Sequence, residues 1–113
     1  MTKSTVLCSS VLLLMLVGGI VVGCGGPSAD RAEWYLEQGN KVADQGNYDE
    51  AIKNYDEDIR LNSQYGKAYA NRARAGTMLG MDTEAQQDVE RAVGLGFDRS
   101  VLEMEIDRLK KLR

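Results

Sequence analysis

The chain repeats itself once at a spacing of 34 residues, and that periodicity limits the fold more than any other feature. The series Tyr35, Gly39, Val42, Gly46-Asn47-Tyr48-Asp49-Glu50-Ala51-Ile52, Tyr55, Ile59, Leu61 recurs as Tyr69, Ala73, Gly76, Gly80-Met81-Asp82-Thr83-Glu84-Ala85, Val89, Ala92-Val93, Leu95. A period of this length marks a supersecondary unit that cannot bury its apolar face alone and must stack on a neighbour. Apolar and small residues at 35, 39 and 42, then at 51, 52, 55 and 59, follow helical spacing in two runs. Gly46 and Gly80 punctuate the turns between paired helices. The expected fold is all-α, a solenoid of two helix-turn-helix repeats over 32–65 and 66–99, with a helix over 100–113 closing it and 31–113 forming one domain.

Gly39 is expected to let the first pair of helices approach closely, with Ala51 and Ala85 facing it across the hairpin. Gly76 falls in mid-helix, where glycine costs ~1 kcal/mol against alanine, and should soften the second repeat. Ser100-Val101-Leu102-Glu103 has the form of a capping box, and Leu102, Ile106 and Leu109 share the face that docks. Glu103, Asp107 and Lys110, where a further helix would pack, are charged, so this last helix reads as a solvated cap. Arg108, Lys110, Lys111 and Arg113 suit the negative end of its dipole; the alternative for them is a basic membrane-binding tail.

Period and residues together resemble the tetratricopeptide repeat, most specifically in Gln45-Gly46-Asn47-Tyr48-Asp49-Glu50-Ala51-Ile52, and the similarity covers nearly everything after residue 31. The resemblance implies a concave groove that binds protein segments, lined by the first helix of each repeat. Its residues here would be Leu36, Asn40, Lys67, Asn71, Arg74, Met104 and Arg108. Lys67, Arg74, Arg108 and Lys111 outnumber Glu33 on that lining, which points to an acidic partner segment with apolar anchors. One specialised version of the family grips a C-terminal carboxylate with two asparagines and three cations. Asn40 and Asn71 have the matching separation, but Leu36, Val101 and Glu105 occupy the cation positions, so that clamp is not expected.

The chain departs from the family pattern at several positions. Gln38 and Lys41 are polar, as an uncovered first helix requires, and Ser63 replaces a frequent proline. Arg72 needs a carboxylate partner, with Asp88 opposite and Asp58 the other candidate, and Asp58 itself stands where the family prefers alanine. Trp34 either folds over the first hairpin or stays exposed to touch a partner or a lipid surface.

Residues 1–23 carry Lys3, an apolar stretch from Val6 to Val22 and the small Gly23, the pattern of an export signal. Cys8, Ser9, Ser10 and the break at Gly18-Gly19 make the stretch a poor permanent span. Val21-Val22-Gly23-Cys24 resembles the bacterial lipobox, which implies a lipoprotein precursor with Cys24 as the fatty-acylated first residue of the mature chain; an uncleaved anchor is the alternative. Acyl chains contribute ~0.8 kcal/mol per buried methylene, enough in combination to hold a small domain at a membrane. Residues 24–30 would form a flexible tether, and Gly25 after the cysteine, in place of aspartate, implies the periplasmic face of the outer membrane if the cell is Gram-negative.

The chain has no histidine, and its two cysteines are Cys8 and Cys24, so neither a disulfide framework nor a Cys/His metal site is expected in the folded part, and no cofactor. A formal charge of −3, mixed along the chain, speaks against nucleic acid. No pairing of nucleophile and base suggests an enzyme. The expected role is a protein-interaction adaptor of the bacterial cell envelope, the alternative being a structural lipoprotein that self-associates because two repeats fall below the usual three. Metabolic labelling with a clickable fatty acid should mark the wild type and not Cys24→Ser; equal labelling of both would defeat the lipidation.

Overall fold

The computed structural model describes residues 27–113, which form five helices: α1 (Pro27–Asp44), α2 (Tyr48–Leu61), α3 (Gly66–Met78), α4 (Asp82–Gly94) and α5 (Arg99–Leu112). Cys24 and the apolar stretch before it lie outside the described residues. Among the described residues no helix is long and apolar enough to cross a membrane. Helix α1 pairs with α2 and α3 with α4, α3 also packs on α2, and α5 lies chiefly against α3.

The turns follow from the backbone groups that a helix end leaves unpaired. Gly80 adopts φ +78°, its N–H donates to the Thr77 carbonyl at 3.0 Å, and the Met81 N–H donates to the Gly76 carbonyl at 2.8 Å. Gly46 and Asn47 do the same for Ala43 and Val42, one repeat earlier. Both are the paired closure that only a left-handed residue permits. Gly76 therefore sits in the closing turn of α3 rather than in mid-helix, and the expected soft point is absent there.

Two other boundaries differ from expectation. Residues 27–30, expected as part of the tether, are helical and belong to α1, whose described part opens with Pro27. Helix α5 is capped by Asp98, not Ser100: the Asp98 carboxylate accepts from the Val101 N–H at 3.0 Å and from the Ser100 hydroxyl at 2.8 Å. These bonds hold the Asp98 carboxyl below its usual pKa, and a carboxylate at a helix start is worth more than a hydroxyl.

The core is built largely from small residues. Ala51, Ala68, Ala70, Ala73 and Ala92 are fully buried, and Leu36 and Tyr55 complete the cluster under α1 while Tyr69, Val89, Leu102 and Ile106 fill the one under α5. Gly39 is met by the ring of buried Tyr55, not by Ala51: a β-carbon at Gly39 would stand 2.5 Å from Tyr55 Cε1. Ala85 instead faces Gly76, 3.8 Å from where its β-carbon would be. Of the three expected docking residues of α5, Leu102 and Ile106 are buried and Leu109 is half-buried.

Arg72 meets Asp88 through both Nε and Nη2, at 2.8 and 2.7 Å, and its Nη1 reaches Asp56 at 2.7 Å. Asp58, the other candidate, is not its partner: two residues along α2 turn the side chain about 200° away from Asp56, into the protein. There it is 0% exposed and neither carboxylate oxygen has a hydrogen-bond partner. Burial first, and the nearby charge of Glu33 second, push its pKa up to about 6 from 3.8. The folded state thus holds this proton more tightly than the unfolded chain. Ionised Asp58 destabilises the fold above pH 6, and that penalty disappears as pH falls towards 4. About two units correspond to roughly 3 kcal/mol. Asp58→Ala should therefore raise the thermal midpoint at pH 7.5, with a gain that shrinks to near zero at pH 4; a lower midpoint at pH 7.5 would show that the carboxylate has a partner.

Candidate protein-binding surface

The inner layer of the array consists of α1, α3 and α5, and a ladder of polar contacts crosses it. Asn40 of α1 accepts at its Oδ1 from the Tyr55 hydroxyl at 2.8 Å and from Asn71 Nδ2 of α3 at 2.9 Å. Asn71 Oδ1 accepts from Arg74 Nη1 at 2.6 Å, and Arg74 Nε donates to Glu105 Oε2 of α5 at 2.9 Å. Both inter-helix steps, 40 to 71 and 74 to 105, span 31 residues. The number has a simple origin: one repeat carries the chain to the equivalent place on the next inner helix, and a step back of about one helical turn offsets the stagger. Arg113 pairs with Asp82 of the outer helix α4 at 2.6 Å and donates to the Thr77 carbonyl at 2.8 Å. It therefore ties the cap to α3 and α4 and does not serve its own helix end.

Beside the ladder opens a cleft of about 260 Å³. Its floor is apolar, made by Ala43, Ala75, Met78 and Leu109, and its rim carries Asn40, Asp44 and Arg74 with Tyr48 and Tyr55 alongside. The Tyr55 hydroxyl is pushed up to about 12 by burial first and by the charge of Asp44 second, with Arg74 opposing. It stays a neutral donor at every physiological pH.

Of the seven groove residues expected from sequence, Asn40, Asn71 and Arg74 come together at this cleft. Leu36 does not: it is buried against Ala51, Tyr55, Ala68 and Ala75, because its direction on α1 faces the helix pair rather than the groove. Lys67, Met104 and Arg108 are exposed but do not line the cleft. The cationic character expected of the groove is reduced at its centre, since Arg74 is already neutralised by Glu105. Ala70 and Thr77, on the same face of α3, are buried, with the Thr77 hydroxyl spent on the Ala73 carbonyl at 2.8 Å. Tyr55, Asp44 and Glu105 are the participants sequence reasoning did not assign, and the repeated 31-residue step was the available signal for Glu105. Trp34 is 52% exposed and touches Tyr35 edge-on, with ring centroids 5.0 Å apart.

No family model matches the chain. Curated relatives do. The chain is 42% identical over 59 residues to the Hsp70-Hsp90 organizing protein of Triticum aestivum, covering 52% of this chain and 10% of that protein. It is 39% identical over 64 residues to Hsp70-Hsp90 organizing protein 3 of Arabidopsis thaliana, 57% of this chain and 12% of the relative. Sperm-associated antigen 1 of Mus musculus is 39% identical over 57 residues, 50% of this chain and 6% of the relative. The fold is all-α: two tetratricopeptide-type helix-turn-helix repeats and a capping helix. The chain spans between 6% and 12% of the length of these relatives.

Partly exposed pairs such as Arg74–Glu105 typically couple by ~0.2 to 1 kcal/mol. A double-mutant cycle of Arg74→Gln and Glu105→Gln should give coupling in that range, and either single change should shift the Asn71 side-chain amide resonances. Zero coupling with unmoved Asn71 signals would refute the ladder.

Proposed function

We propose that the chain is a protein-interaction module of the bacterial cell envelope, tethered through a lipid on Cys24, that holds a segment of a partner protein on its inner face. The observation that carries this reading is the cleft: apolar at its floor, polar at its rim, with Asn40 and Arg74 of the rim fixed by Tyr55, Asn71 and Glu105 before any ligand arrives. A surface ordered in advance loses less conformational entropy on binding. The relatives support an adaptor role, since two of them are named for organising Hsp70 and Hsp90, and here the role is carried over as an interaction function without those partners.

Binding, not catalysis, suits the residues of the cleft. Amides, a tyrosine with its pKa pushed to about 12 and a paired guanidinium offer no group poised to exchange a proton near neutral pH. The Val21-Val22-Gly23-Cys24 sequence supports export and lipidation, and Gly25 supports the outer membrane if the cell is Gram-negative. A second reading, self-association, is favoured by one observation: Val101, Met104 and Leu112 on the closing helix are more than half exposed.

A photo-crosslinking residue at Lys67 or Arg108 of the inner layer, in the full chain in its native envelope, should capture a discrete partner, whereas one at Arg60 or Gln86 of the outer helices should not. Capture from the outer positions alone would overturn the groove reading. Adducts only with a second copy of the chain, matched by a dimer in sedimentation, would establish the self-associating alternative.

A further inference from the structure

We infer that the cleft between α1, α2, α3 and α5 receives the side chain of a lysine or arginine from the partner segment. This deepens the reading of the cleft as a protein-binding surface and rests on it. At about 260 Å³ the space lies below the ~300 to 1,000 Å³ of small-molecule pockets and fits one long side chain better than a free ligand. The apolar floor of Ala43, Ala75, Met78 and Leu109 can cover a methylene stem. At the rim, exposed Asp44 has no ion-pair partner among the described residues.

The sign of the field decides the class of ligand. Arg74, the cation of the cleft, is paired with Glu105, whereas Asp44 has no ion pair among the described residues, and at Tyr55 the effect of Asp44 exceeds that of Arg74. The Asp44 charge is thus felt inside the cleft, where it opposes ionisation of Tyr55. Asp44 is also the last residue of α1, so the negative end of that helix dipole lies beside it. Glu33, Glu37, Asn40 and Asp44 stand at i, i+4, i+7 and i+11 of α1 and share one face, with Lys41 beside them at i+8, so acids outnumber cations there by three to one, and neither Glu33 nor Glu37 has an ion pair among the described residues. An acidic side chain would have to displace Glu105 from Arg74, exchanging one carboxylate for another, and would do so next to Asp44. A cation displaces nothing. The acidic partner expected from the count of cations along the lining is thus replaced, at this cleft, by a basic one.

The test uses the full chain in detergent micelles, labelled with nitrogen-15. It is titrated with N-acetylated, C-amidated pentapeptides Ala-Leu-X-Leu-Ala in which X is lysine, arginine, norleucine or glutamate. Lysine and arginine peptides should shift the Asp44 and Tyr48 backbone amides and the Asn40 side-chain amide, and should bind roughly fivefold more tightly than the norleucine peptide, the gain of one well-placed exposed ion pair. Asp44→Asn should close that gap, and Glu84→Gln, on the outer helix α4, should leave it open. Equal binding of the norleucine or glutamate peptide at the same residues would overturn the cation preference while leaving the groove reading intact. Closure of the gap by Glu84→Gln would also overturn it, by showing a general effect of net charge. Shifts from no peptide at the cleft would overturn both.

Discussion

The contact between Gly39 and Tyr55 is the constraint on which the inner face depends. Helix α1 carries no side chain where the Tyr55 ring needs to lie, so the ring lies flat against the helix and its hydroxyl is delivered to Asn40. Asn40 then presents one oxygen to two donors and fixes Asn71 of the next repeat, which in turn holds Arg74. A residue with no side chain thereby determines the orientation of polar groups on three helices. The buried alanines serve the same end, since helices meeting through methyl groups approach closely enough for short polar side chains to bridge them.

Charges at the interior of the array have opposite consequences depending on whether they are paired. Arg72 is held along its Nε–Nη2 edge by both oxygens of Asp88 and at Nη1 by Asp56, so its charge is compensated and its pKa rises further above the ordinary arginine value. Asp58 has no such compensation, since neither of its buried carboxylate oxygens has a hydrogen-bond partner among the described residues. The difference lies in helix geometry rather than in composition. Asp56 and Asp58 are two residues apart and point to opposite sides of α2, one towards a guanidinium and the other towards the packed junction with its neighbours.

Much of the fold was legible because it depends on period. The 34-residue recurrence located the helix pairs, and Gly46 and Gly80 located turns that require a left-handed residue. The Arg72–Asp88 pair was legible because the antiparallel hairpin places those positions opposite one another. What was not legible depends on rotation by tens of degrees about a helix axis. Leu36, read as lining the groove, turns into the core, and Asp58 misses Arg72 altogether. The count of cations along the groove overlooked one contact. The count treats each charge as free, whereas Glu105, on another helix, takes Arg74 for itself. At the start of α5, Asp98 rather than Ser100 takes the cap, because its carboxylate reaches the unpaired Val101 N–H of the first turn.

The dependence of the whole surface on Gly39 gives the account an unusual sign. In an unconstrained helix, glycine to alanine stabilises by ~1 kcal/mol. Here the new β-carbon would be forced against the ring of a tyrosine only 2% exposed. The measurement is the thermal midpoint of Gly39→Ala, recorded together with the side-chain amide resonances of Asn40 and Asn71. The account predicts a lower midpoint and displaced amide signals from both asparagines; a midpoint that rises while both signals keep their positions would contradict it.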